Sequence, residues 1–180
     1  MLLRNERIRL RALSRADLPL MERWENDTSL WQYGSTVAPF NQDLLNEFLS
    51  SYTADIYAQK QLRFIAEHLH GDRLSIGAVD LYDFDPFNSR VAVGILIDRA
   101  WQGQGFAKEC IETVTEYALE YLGLKQCYAL VAVNNEISRR LFSSCGYTQS
   151  AVLKSWFRQG SEYVDALYYQ KFKPTSVSSN

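Results

Sequence analysis

The residues from Val91 to Ala107 carry the densest chemical signal in this chain of 180 residues. An apolar run, Val91-Ala92-Val93-Gly94-Ile95-Leu96-Ile97, meets Asp98-Arg99-Ala100-Trp101 and then Gln102-Gly103-Gln104-Gly105-Phe106-Ala107. A long amphipathic segment follows, so the stretch reads as strand, tight glycine turn, helix. Such a turn aims consecutive backbone N–H groups, and the positive end of the helix dipole, at one point. Glycines let an anion approach that backbone closely. A phosphate-bearing ligand is the expectation.

Three patterns place glycines between a strand and a helix. The Walker loop needs GxxxxGK[ST], but Gly105 is followed by Phe106. The Rossmann fingerprint GxGxxG begins as Gly103-Gln104-Gly105, but Lys108 stands in the third glycine's place. That fingerprint also follows an early βαβ strand, whereas this turn follows a predicted antiparallel meander. The third pattern, Q/R-x-x-G-x-G/A, is met by Gln102 through Ala107. A plain strand-to-helix turn is the structural alternative. Further along, Asn135-Glu136-Ile137-Ser138 followed by Cys145-Gly146-Tyr147 gives an N-x-x-S helix ending in G-Y.

In this order the two signals resemble the GNAT superfamily of N-acetyltransferases. Arg9-Leu10-Arg11 with Asp17, and Ala78-Val79-Asp80-Leu81, look most like its branch of ribosomal-protein N-terminal and polyamine acetyltransferases. The resemblance implies an α+β fold with helices on both faces of a twisted, mostly antiparallel sheet. About six or seven strands are expected, ordinary for an open sheet, with the cofactor cleft where the central strands splay. It implies one acetyltransferase domain over residues 1–173 and a frayed tail over 174–180.

It also implies acetyl-CoA as co-substrate and no metal. Gln102, Gly103, Gln104, Gly105, Phe106 and Ala107 would hold the diphosphate. The main chain of Ile95, Leu96 and Ile97 would present the thioester, and Asn135 and Ser138 would face the pantetheine arm. An ordinary helix N-cap is the other reading of Asn135. The reaction implied is direct attack of a primary amine on the thioester. The acceptor is either a small, polyamine-like amine or a protein N-terminus. A catalytically weak acyl-CoA-binding module of the same fold is the alternative function, and a Rossmann-type nucleotide enzyme a third.

An alkyl amine has a pKa of about 10.4, so its proton must be removed or its pKa lowered by desolvation. Asp80 is the first choice of base, Glu25 the second, and Asp83 and Asp85 the third. Each is alternatively a solvated carboxylate. Polyamine-type relatives carry a second acid early in the central strand, where this chain has Ala92. Many relatives protonate the leaving thiolate with a tyrosine at the position of Phe142, which has no proton to give. Tyr147 and Tyr128 are the substitutes to consider. Trp31, Tyr33 and Phe40 would wall the acceptor site and favour a cation, or else pack their own loop. Arg139 and Arg140 would meet the cofactor's 3′-phosphate or stay solvated.

The elements that must position these residues follow from periodicity. Residues 8–12 alternate as a strand. Ser14 and Asp17 open a helix carrying Leu18, Leu20, Met21 and Trp24, which Asn26-Asp27 ends. Residues 27–40 lack a period, and Asn41 caps a helix with Leu44, Leu45, Phe48 and Leu49 on one face. Leu62-Phe64-Ala66 and Leu74 to Tyr82 are hairpin partners around His70-Gly71-Asp72, and Asp83 to Ser89 turns into the apolar strand 91–97. That strand is apolar on both faces and should lie centrally. The helix after the glycines should run to Leu122, with Gly123 ending it. A strand over 128–133, a helix to about residue 144, a strand entered at Tyr147, and a last strand over 163–172 complete the chain.

Composition bounds the rest. Hydrophobic content is 47%, charged content 22% and net charge −2, so no basic excess argues for nucleic acid. The 3 cysteines are widely spaced and there are 2 histidines, a poor supply for a disulfide framework or a zinc site. The ring content of 11 Tyr, 9 Phe and 4 Trp suits a ring-rich core or an aromatic-lined pocket. The opening Met1 to Glu6 has no apolar core of a leader, and no apolar run is long enough to span a bilayer. A cytoplasmic chain without a membrane partner, free to form a homodimer or larger homo-oligomer, is expected.

Overall fold

The computed structural model describes residues 2–32 and 36–174. Tyr33, one of the expected acceptor residues, lies outside the described residues, as do positions 175–180 of the expected tail.

The strands are β1 (Ile8–Ala12), β2 (Leu62–His68), β3 (Ser75–Asp85), β4 (Arg90–Ile97), β5 (Gln126–Ala132), β6 (Thr148–Gln159) and β7 (Glu162–Phe172). The helices are α1 (Leu18–Glu25), α2 (Thr28–Trp31), α3 (Gln42–Ser51), α4 (Ile56–Gln59), α5 (Phe106–Glu116) and α6 (Glu136–Ser144). One 7-stranded sheet has the order β1-β2-β3-β4-β5-β7-β6. Every pair is antiparallel except β4 with β5. The apolar strand is therefore the middle one, which is why both of its faces are apolar.

Period-two alternation divides the sheet into two faces. Val91, Val93 and Ile97 of β4 join Val79 and Leu81 of β3 in the main core, where α5 packs Phe106, Cys110, Ile111 and Val114. Burying each of the larger of these side chains stabilises by about 1.5–3 kcal/mol, so the start of α5 is firmly seated. On the opposite face Trp24 of α1 packs with Ile65, Ala78 and Leu96. That face is shared with Arg63 and Asp80, which alternate with the core residues of β2 and β3.

The split in the middle of this sheet matters most for function. β4 and β5 pair only at Arg90–Gln126, Val91–Cys127 and Ala92–Tyr128. Beyond Ala92, β4 pairs with β3 alone and β5 with β7 alone. The two central strands thus open into a V whose wide end lies at Ile97 and Ala132, immediately before the glycine turn.

Local chemistry explains the boundaries. Asn41 Oδ1 accepts from Leu44 N at 2.9 Å and starts α3. Asp17 Oδ2 accepts from the Ser14 N–H at 2.9 Å and the Ser14 hydroxyl at 2.8 Å, while both Asp17 oxygens accept from Arg11. α5 continues as a wider-wound turn over Tyr117–Tyr121 before Gly123. Two elements differ from expectation. Residues 56–59 form the short helix α4, because Asp55 Oδ1 accepts from Tyr57 N and Ala58 N. β3 reaches Asp85 instead of ending at Tyr82, with a register shift between the two.

Candidate active site

The glycine turn presents a row of free donors. Among the described residues the N–H groups of Gly103 through Lys108 donate to no group of the protein. Gly103 (φ +74°) and Gly105 (φ +88°) take left-handed backbone that other residues adopt at a cost. The turn is held from behind. Gln102 Nε2 donates to the Ile97 carbonyl at 2.8 Å, and Gln104 Nε2 to the Ala100 carbonyl at 3.2 Å. Arg7 donates to the Gln104 carbonyl at 3.0 Å, pairs with Glu109 at 2.8 Å and lies 4.2 Å over the Phe106 ring. Phe106 also meets Trp101 and His68 edge-on. Sequence reasoning missed Arg7, whose partners lie about a hundred positions away.

On the same side of the split, the two carboxylates expected as bases meet on one cation. Arg63 faces Asp80, and Asp80 faces Gly94, so the three form a line across β2, β3 and β4. Arg63 Nε donates to Asp80 Oδ1 at 2.7 Å, Nη2 to Oδ2 at 2.9 Å, and Nη1 to Glu25 Oε1 at 2.5 Å. The side chains of Asp80 and Glu25 remain 29% and 21% exposed, open to a ligand. Burial alone would depress the Arg63 guanidinium, but the two carboxylates outweigh it and its pKa is raised. The Tyr82 ring lies beside Gly94, where an added Cβ would stand 3.3 Å from it. Arg63 was missed because a basic residue in an alternating strand looks solvated; its cross-strand register with Asp80 was the available signal.

The described residues after α1 are tied back to that helix. Trp31 Nε1 donates to the Glu25 main-chain carbonyl at 2.7 Å, fixing that ring against the end of α1. The main chain of Phe40 exchanges two hydrogen bonds with the Asn26 side chain. No ring contact joins Trp31 and Phe40 among the described residues. Arg23 and Trp24 both donate to Asp98, tying α1 to the end of β4. Gln159 at the β6–β7 turn donates to the Gln32 carbonyl at 3.3 Å and accepts from Asn134 at 2.7 Å, bridging the mouth of the split. Asp85, a third-choice base, instead holds Asn88 and Arg90 in the β3–β4 hairpin, and Asp83 is exposed on that hairpin.

On the β5 side, Asn135 Oδ1 accepts from Ser138 N at 3.1 Å, so Asn135 caps α6. Both residues stay partly exposed at the end of the split. Arg139 donates to the Val133 carbonyl at 3.0 Å, and its buried Nε has no partner among the described residues. Arg140 pairs with Glu136 on the surface. Both arginines line an open depression of about 450 Å³ with Ser143 and Tyr169.

A family model described as an acetyltransferase (GNAT) domain matches residues 7–148, most of the chain. The protein is a GNAT acetyltransferase. A spermidine N(1)-acetyltransferase of Vibrio cholerae is 28% identical to it over 161 residues, 89% of this chain and 90% of the relative. The crystal structure of a spermidine N-acetyltransferase from Vibrio cholerae with CoA and spermine superposes with a TM-score of 0.83 at 26% identity, covering 94% of this chain and 97% of that one. A dodecameric structure of the V. cholerae enzyme gives 0.79 at 26% identity, covering 97% and 98%. The chain is thus an acyl-CoA-dependent N-acetyltransferase, and its open, mostly antiparallel seven-stranded sheet with helices is the GNAT fold.

Within this GNAT site the proton donors divide clearly. Phe142 is buried against Tyr147 and Tyr169. Tyr147 does not replace the missing tyrosine: it is buried, and its hydroxyl is engaged with Thr115 at 2.7 Å. Burial drives its pKa far above the ordinary phenol value. Tyr128 stacks on Tyr168 where β4 and β5 are still paired, and burial, then the nearby Asp83, pushes it up to about 12. A CoA thiol of pKa about 8.5 leaves tolerably as thiolate without a protein acid. The three free cysteines are all buried, and burial pushes Cys110 and Cys127 up to about 12. None is a nucleophile in waiting, which fits direct attack without an acyl-enzyme. No group of His, Cys, Asp and Glu suited to a metal occurs among the described residues, and no described helix is long and apolar enough to cross a membrane.

Proposed function

We propose that this acetyltransferase uses a polyamine such as spermidine as acceptor. The observation that carries the reading is the Asp80–Arg63–Glu25 cluster beside Gly94 of the central strand, the same strand that leads into the free row of amides. One end of the site suits a diphosphate and the other an ammonium, with the central strand between them. The spermidine acetyltransferases described above support the same acceptor class.

In this reading Gly103 through Ala107 hold the diphosphate through their N–H groups, with Gln102 bracing the turn. Ile95, Leu96 and Ile97 present main chain to the thioester, and Asn135 and Ser138 flank the pantetheine arm. A donor must meet the carbonyl oxygen as it gains charge, and β4 amides freed from β5 are placed to do so. Trp31 and Glu25 receive the acceptor's cation. Asp80 accepts the proton. Direct transfer from a free ammonium to a carboxylate is uphill by about 6 pKa units, so attack must come from the neutral amine, whose fraction a desolvating cleft raises. Once the new C–N bond forms, the nitrogen becomes far more acidic and a carboxylate is base enough. The C–S bond then breaks and the thiolate departs.

The chain is proposed to assemble as a homo-oligomer, like its dodecameric relative. β6 is an edge strand exposed along most of its length, with Val152 42% and Trp156 54% accessible. A long open edge of this kind offers unpaired N–H and C=O groups to which another chain can add. Cytoplasmic placement goes with this reading.

The test is an acceptor screen read by release of free CoA thiol. Spermidine and spermine should be acetylated, with amino sugars, amino acids and peptides bearing free N-termini as comparison arms. Thiol release with peptides alone would replace the polyamine acceptor. Binding of acetyl-CoA without turnover on any amine would restore the sensor-module alternative.

A further inference from the structure

We propose that Arg63 is the positioning residue of the acceptor site: its guanidinium clamps Asp80 and Glu25 into one anionic unit beside Gly94 and leaves that unit a single net negative charge for an incoming ammonium. The inference rests on the reading in which Asp80 receives the acceptor's proton. Three of its nitrogens are engaged, two on Asp80 and one on Glu25. A planar fork of this kind fixes the plane of the carboxylate, which a lysine's point charge does not. The Arg63 main chain is pinned as well, since its N–H donates to the Tyr52 hydroxyl at 2.8 Å.

The groups around Asp80 are few. β2 contributes Arg63, α1 contributes Glu25, the chain after α3 contributes the Tyr52 phenol, and β3 itself contributes Tyr82. β4 offers Gly94 there and so adds no charge. Burial, and after it neighbouring carboxylates, push Tyr82 up to about 12; burial raises Tyr52 as well, so both phenols stay neutral through neutral pH. Arg63 is then the cation that bridges Asp80 and Glu25 among the described residues. Without it, Asp80 and Glu25 face each other as like charges with no cation between them.

The experiment compares pH profiles of kcat and kcat/KM for spermidine in the parent, Arg63→Gln, Arg63→Lys, Asp80→Asn and the Arg63→Gln/Asp80→Asn double variant. Arg63→Gln should move the acid limb to higher pH and lower kcat, with KM for acetyl-CoA unchanged. Arg63→Lys should keep the limb near its original pH yet lose turnover, because the charge remains and the fork does not. In the Asp80→Asn background, Arg63→Gln should cost nothing further, as expected when one residue acts through the other. An unmoved acid limb in Arg63→Gln, with losses that multiply in the double variant, would make Arg63 a structural contact and overturn the inference. If Arg63→Gln yields no soluble protein, Arg63→Lys decides alone: parental kcat refutes the role of the fork. A parent that acetylates no amine defeats the proposed function itself, before any variant is compared.

Discussion

Replacing Gly105 by glutamate separates the cost to the fold from the cost to the ligand. Gly105 sits at φ +88° and ψ −8° immediately before α5. A side chain there incurs the left-handed penalty of about 1–2 kcal/mol. Space is not the obstacle, since the nearest heavy atom to an added Cβ is Arg7 Nη1 at 3.9 Å. For a chain of this size each kcal/mol lowers Tm by about 2–4 °C, so a drop of about 2–8 °C is expected. Binding should suffer far more. In the proposed site the added carboxylate stands against the diphosphate, and Arg7 is already engaged by Glu109 and the Gln104 carbonyl. Losing two charge-assisted hydrogen bonds of about 1.5–3 kcal/mol each weakens affinity by about 10²–10⁴-fold. Thermal melts and calorimetric titration with CoA measure the two effects separately. Gly105→Ala is the control: a similar fall in Tm, with most of the affinity kept. Binding of CoA to Gly105→Glu within tenfold of the parent would refute the diphosphate site at this turn.

Asp80→Asn should lower kcat for spermidine by about 10²-fold, the scale of a lost general base, and leave CoA affinity unchanged by titration; parental turnover would remove Asp80 from the chemistry. Asp17 tests the fold instead. It is 2% exposed; burial pushes its pKa up, but hydrogen bonds from Arg11 and Ser14 outweigh this and hold it below the usual carboxylate range. A depressed folded pKa adds stability above the unfolded value of about 3.9 that is lost as pH falls through the folded one. Asp17→Ala should cost about 1–3 kcal/mol near neutral pH by removing the acceptor of Ser14 and Arg11 while Arg11 keeps Glu67 and Ser75, and the gap from the parent in denaturant melts should shrink under acid. A gap constant with pH would contradict this. Trp156→Glu should reduce oligomer mass in light scattering without lowering far-UV helix and strand signal; unchanged mass would place the interface away from β6.

Where one local rule decided an element, that element was legible in the sequence. Alternation placed β1, β2 and β3, the double-faced apolar run made β4 central, and Gly103 with Gly105 marked the start of α5. Asn135 is half legible, because capping α6 and flanking a ligand ask for the same residue in the same place. What the sequence hid was pairing at a distance. Arg63 belongs to no motif, and only its register with Asp80 and the packing of α1, which brings Glu25 to its third nitrogen, give it a role. Arg7 lay outside every motif, yet it braces the loop. α4 escaped because one Asp55 carboxylate, not a hydrophobic period, makes that turn. Tyr147 looked like a spare acid, but its partner Thr115 lies on α5 and could not be read from spacing.

The most direct measurement is a crystal structure of the parent protein with CoA. The account predicts diphosphate oxygens within about 2.7–3.2 Å of N–H groups from Gly103 to Lys108, with the thiol end in the split between β4 and β5 beside Asp80. A diphosphate bound elsewhere, with those N–H groups facing solvent or turned into protein, would contradict it.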